Sequence, residues 1–258
     1  MILKHCMAPA VALALALPAG AAAQTYPPQQ RPEPQRERQM EQRRDPQQHE
    51  VIRGDRLIGQ AVRDQKNERL GRITDLAVNL ENNRIAYAVV NRGGVWGIGG
   101  DEVAVDWQQI RPDAASHTVR IEEQQLQQAR RIDTGEAWPA AIGEAPVGTT
   151  GTEAGRRVVP LSNVIGMDVH NKQGERLGEI DDVAIGRDGS ISYAVIAHGG
   201  FLGMDNKYTA VPWDRLNVNA GREAVVLDVT SEQLENARSF EYRGSWPAKV
   251  DWPFSGGR

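Results

Sequence analysis

The chain has 258 residues, 40% of them hydrophobic and 25% charged, with a formal net charge of −4. That balance is ordinary for a soluble globular protein, and its acidic excess argues against a general nucleic-acid binder, which needs a strongly basic face. The single cysteine, Cys6, sits in the apolar start of the chain, so the rest carries no thiol for a disulfide, a nucleophile or a metal.

Residues 1–23 read as a secretion signal. Lys4 and His5 precede the apolar run Ala10 to Leu17, and Ala21-Ala22-Ala23 offers small residues for cleavage before Gln24. The run is short for a bilayer span of about 20 residues. The expectation is a periplasmic or secreted protein, with an uncleaved anchor as the other reading. Residues 24–50 are rich in Gln, Pro and Arg and nearly free of large aliphatics. Such a stretch buries too little apolar surface to offset its ordering entropy, so a disordered tether is expected. The alternative, an arginine-bearing arm for an anionic partner, is weakened by the acids interleaved with Arg31, Arg36, Arg38, Arg43 and Arg44.

From Val51 the chain writes one pattern twice. Glu68-Arg69-Leu70-Gly71 returns as Glu175-Arg176-Leu177-Gly178, Tyr87-Ala88-Val89 as Tyr193-Ala194-Val195, and Ala104-Val105-x-Trp107 as Ala210-Val211-x-Trp213. The spacing drifts by a residue or so, in segments that look like turns. Two copies of one folding unit are implied, at 51–140 and 158–254, joined by the Gly- and Thr-rich linker 141–157.

In the first copy Leu57, Ile58 and Val62 suggest an opening strand, and Leu70 to Val78 a second. Within the second, Ile73 and Asp75 share one parity while Leu76 and Val78 share the other; Ile180, Asp182, Val183 and Ile185 repeat the switch. A side-chain period of two tolerates that only with an extra residue, which predicts a β-bulge near Asp75 and Asp182. Asn82-Asn83 and Asp188-Gly189 read as hairpin turns. Further strands follow at Ile85 to Asn91, Glu102 to Trp107 and His117 to Ile121. A short helix ends each unit: Thr230 and Gln233 have capping-box spacing, and Leu126 and Ala129 hold the matching places in the first copy. Short, closely spaced strands indicate a small barrel or sandwich.

The run Gly174 to Val183, then Tyr193 to Ile196, Gly199-Gly200 and Ala210 to Trp213, closely resembles the PRC-barrel family. The first copy departs from the pattern at Asn67 and Asp106. The resemblance implies two tandem PRC-type β-barrels, mainly β, each closed by a short α-helix. The family is similar to the cytoplasmic domain of the photosynthetic reaction-centre H subunit and to the C-terminal domain of a ribosome maturation factor. Both are docking modules rather than catalysts.

The glycine-rich loops carrying Val95 and Trp96, and Phe201 and Leu202, are candidate partner-binding tips. Large apolar residues in such loops either fold back over the barrel or meet a partner. Neither loop has the spacing of a phosphate-cradling motif. Asp75 and Asp182 read as acceptors of backbone N–H bonds at the bulges, or alternatively as an acid or cation site. Glu68-Arg69 and Glu175-Arg176 read as solvated turns with weak ion pairs, or as a partner-contacting patch. Trp107 and Trp213 are expected in the core with the indole N–H on backbone, and Trp138 and Trp246 pinned past the helix. The histidines show no metal-ligand spacing, and GxSxG and HExxH are absent.

These features add up to an expectation of a non-catalytic scaffold or docking module of the bacterial envelope, with stress tolerance as one context. It would bind a protein partner and need no cofactor, metal or nucleic acid. The alternative, carried by the resemblance, is an accessory subunit associated peripherally with a membrane electron-transfer complex.

Overall fold

The computed structural model describes residues 51–93, 100–113, 118–133, 138–139, 158–199, 206–219 and 224–254. Residues 1–50, expected as signal and tether, the expected linker 141–157 and the candidate tips Val95, Trp96, Phe201 and Leu202 lie outside the described residues.

The first repeat runs β1 (Val51–Arg53), α1 (Gly54–Leu57), β2 (Ala61–Arg63), β3 (Arg69–Asn79), β4 (Arg84–Arg92), β5 (Asp101–Asp106), β6 (Arg111–Asp113), β7 (Thr118–Arg120), α2 (Glu123–Gln128) and β8 (Arg130–Arg131). The second runs β9 (Val158–Pro160), α3 (Leu161–Val164), β10 (Asp168–His170), β11 (Arg176–Gly186), β12 (Ile191–His198), β13 (Lys207–Pro212), β14 (Leu216–Asn219), β15 (Ala224–Leu227) and α4 (Ser231–Glu235). Leu57 is therefore not in a strand as the sequence suggests. It ends a helical turn, and Gly59 at φ +86° reverses the chain before β2.

The two sheets share one strand order. One reads β6-β7-β2-β3-β4-β5-β8 and the other β14-β15-β10-β11-β12-β13, with β2–β7 and β10–β15 parallel. Both predicted bulges are present, between Ile73 and Asp75 and between Ile180 and Asp182. The capping box at Thr230 is formed in full. Asn67 at φ 68° takes the left-handed place that Gly174 fills at φ 84° in the other copy, a conformation asparagine tolerates.

The opening strands are exchanged. β1 pairs with β11, Val51 opposite Gly186 and Arg53 opposite Ala184. Reciprocally, β9 pairs with β3, Val158 opposite Asn79 and Pro160 opposite Ala77. The bulge bends each long strand, so its first half pairs within its own repeat and its second half also accepts the visitor. The hairpin turns interlock as well. Ile85 N–H donates to Gly189 O at 2.8 Å and Ile191 N–H to Asn83 O at 2.9 Å.

The hydrophobic interior follows the exchange. A central cluster joins Ile73, Leu76 and Val105 of one repeat to Ile180, Val183 and Val211 of the other. The two repeats therefore share one apolar core rather than each enclosing an interior of its own. A unit of roughly 90 residues buries only a modest core by itself, and sharing removes more apolar surface from water. Part of each sheet's outer face is covered separately. Tyr87, Ala77 and Trp138 pack with Val158, while Tyr193, Ala184 and Trp246 pack with Val51. Ala77 and Ala184 are buried because both faces of the strand are occupied. Among the described residues no helix is long and apolar enough to cross a membrane.

Candidate functional site: the paired acids and the outer faces

Asp75 and Asp182 sit at the bulges, where an extra residue turns the side chain toward the neighbouring repeat. Asp75 accepts from Leu76 N–H at 2.7 Å, Ser162 N–H at 3.1 Å and the Ser162 hydroxyl at 2.5 Å. Asp182 accepts from Val183 N–H at 2.7 Å, Asp55 N–H at 2.9 Å and Arg53 Nε at 3.0 Å. Each acid thus satisfies its own bulge and caps the helical turn of the exchanged segment, α3 for Asp75 and α1 for Asp182. The sequence points to the bulge bond but not to the second partner across the repeats.

Around Asp182 the two copies diverge. Arg53 binds both Asp182 and Asp55, reaches the Tyr242 hydroxyl at 2.6 Å, and lies over the Tyr242 and Trp246 rings at 4.2 and 5.0 Å. Such stacking suits a guanidinium. Tyr208, Phe240, Tyr242 and Trp246 form a chain of ring contacts over the second sheet. Burial pushes the Asp182 carboxyl up to about 7; the adjacent Asp55 carboxyl adds to the rise, and the Asp55 and Val183 N–H bonds oppose it. Sequence reasoning missed Arg53, Asp55 and Tyr242. The available signal was an aromatic excess after Ser239 with no counterpart in the first copy. Among the described residues no group of three or more His, Cys, Asp or Glu side chains is placed to hold a metal ion.

The tryptophans also act across the repeats. Trp107 Nε1 donates to Arg187 O at 3.1 Å, and Trp213 Nε1 donates to the Asn83 side-chain oxygen at 3.0 Å, so only the first meets backbone. Trp138 stacks on Tyr87, and Trp246 on Tyr193. His198 is buried with Nε2 2.9 Å from the Thr209 hydroxyl, and burial lowers its pKa. Arg176 is held by Asp168 at 2.7 Å and Glu179 at 3.2 Å, an exposed ion-pair cluster at the start of β11.

Two small sheets that share one order over six strands, each closed by a helix and completed by a strand from its twin, define a tandem β-barrel module. The family model for the PRC-barrel domain matches residues 49–126 and again 157–234, and the chain belongs to that family. No curated protein matches it significantly.

Proposed function

We propose that this chain is a non-catalytic, exported docking module that recognises a protein partner through its surface. The observation that carries the reading is the packing of the interior. Leu57, Ile73, Leu76, Ile180, Ile185, Ile196 and Leu227 are fully buried or nearly so, and the barrel interiors are filled by side chains. A small barrel packed this way offers recognition faces rather than a substrate chamber. The interlocked strands and turns make both repeats one stiff block, which suits a scaffold. The apolar N-terminal run supports export, and residues 24–50 would serve as the tether.

Crosslinking in intact cells, followed by identification of the captured protein, tests this. Trp96→Ala and Phe201→Ala should each abolish capture while leaving the melting temperature unchanged; undiminished capture by both variants removes the loop tips from the reading. The mature protein should begin at Gln24, which N-terminal sequencing reads directly.

A further inference from the structure

A row of arginines crosses the outer face of the first sheet. The register places Arg111 of β6 opposite Arg120 of β7, Arg120 opposite Arg63 of β2, and Arg63 opposite Arg69 of β3. Directly paired residues point to the same face. Val62 and Val119, one position along, are fully buried, so the arginines face outward. The β3 irregularity puts Arg72, opposite Ala61, on that outer face too. Arg69, Arg72, Arg111 and Arg120 are exposed and Arg63 is half-buried. Arg63 donates to Asn67 O, and Arg111 to Gln108 O and Ile110 O. None of the five is in an ion pair among the described residues.

Like charges set directly opposite one another on a sheet destabilise it. The twin repeat avoids the arrangement. Its row reads Asn217, Val226, His170, Arg176, and its single arginine is neutralised by Asp168 and Glu179. The positions of those two acids are taken in the first repeat by Ala61 and Arg72. The first copy therefore holds several guanidinium groups and lacks the carboxylates that satisfy the one in the second.

We propose that this row is a docking site for an extended, carboxylate-rich segment of a partner protein, deepening the docking reading on which it rests. Adjacent strands lie about 4.8 Å apart, so four arginines span roughly 14 Å. An extended peptide places alternate side chains about 6.8 Å apart on one side, so three acidic residues cover that span. Guanidinium forks match carboxylates bidentately, and the twin repeat already uses carboxylates against Arg176. The row carries no aromatic side chain to stack a base and no apolar anchor to enter a bilayer, which disfavours single-stranded nucleic acid and membrane as its occupant.

The test uses the full chain and a fluorescein-labelled twelve-residue peptide of alternating aspartate and serine, read by fluorescence anisotropy at 50 and 200 mM salt. The expected result is saturable binding that weakens with salt. It should fall at least tenfold in R63Q/R120Q and in R69Q/R111Q, and stay unchanged in R238Q, an exposed arginine of the other repeat. R63Q/R120Q should also melt at a higher temperature, since it removes facing like charges. Equal peptide affinity in wild type and both double variants overturns the proposal, as does tighter binding of inorganic polyphosphate or of vesicles one-quarter anionic phospholipid. Loss of the peptide isotherm leaves capture through the loop tips untouched, and loss of that capture leaves the isotherm untouched, so the two readings fail separately.

Discussion

Replacing Gly189 by alanine tests the interlock between the repeats most directly. Gly189 holds φ +86°, and a Cβ there would meet Trp107 Cδ1 at 2.5 Å and Nε1 at 2.8 Å. Gly174 holds nearly the same φ, +84°, with nothing within 4 Å of its Cβ. The left-handed conformation alone costs an alanine about 1–2 kcal/mol, so that is the expected loss for Gly174→Ala. At Gly189 the indole must also move. Overpacking adds about 1–3 kcal/mol, and disturbing the bond from Trp107 to Arg187 O adds about 1 kcal/mol, giving roughly 3–6 kcal/mol in total. Urea unfolding of both variants, fitted with a common m-value, reads the difference. The expected gap of about 2–4 kcal/mol corresponds to a melting shift of about 4–16 °C in a protein of this size. If the two variants agree within about 0.5 kcal/mol, the turn of one repeat is not locked against the tryptophan of the other.

The tyrosine pair gives a second contrast. Tyr87 donates to Pro139 O at 3.1 Å, whereas the buried Tyr193 hydroxyl has no hydrogen-bond partner among the described residues. Tyr87→Phe should cost about 1 kcal/mol and Tyr193→Phe should be neutral or stabilising; a larger loss at Tyr193, measured by thermal melts, would refute the assignment. Asp182 makes stability depend on pH. Its folded pKa lies near 7 against 3.8 for the free side chain, so the folded state binds the extra proton and stability rises as pH falls from about 7 toward 4, by at most about 4 kcal/mol. His198, with its lowered pKa, pulls the opposite way below its ordinary value, so the comparison is wild type minus Asp182→Asn. That difference should shift in favour of wild type as pH drops from 8 to 5, and a flat difference would contradict it. Finally, residues 51–140 and 158–254 made as separate chains should each fold poorly and combine one to one on mixing, as followed by light scattering and circular dichroism. Two independently folded monomers would rule out a shared core.

Much of each repeat could be read from the residues in order. The parity switch at Ile73-x-Asp75 marked the bulge because strand side chains alternate strictly. Thr230 and Gln233 marked the helix start because their side chains answer each other's backbone. The duplication itself announced two matching sheets. Leu57 misled because an apolar residue followed by Ile58 fits a strand as well as a helical turn. Asp182 was visible as a repeated acid, but Arg53 and Tyr242 are 129 and 60 positions away in sequence, and no local pattern joins them.

The sequence by itself determined the module, its repetition, its bulges and its caps, since each depends on interactions within a few residues or on a direct internal comparison. Which copy each opening strand completes was decided only in three dimensions. Val51–Arg53 and Val158–Pro160 meet nearly equivalent edges on β3 and β11, so local patterning is degenerate between pairing at home and pairing abroad. The bend at each bulge, the acid waiting beside it and the larger apolar surface buried by exchange break that degeneracy.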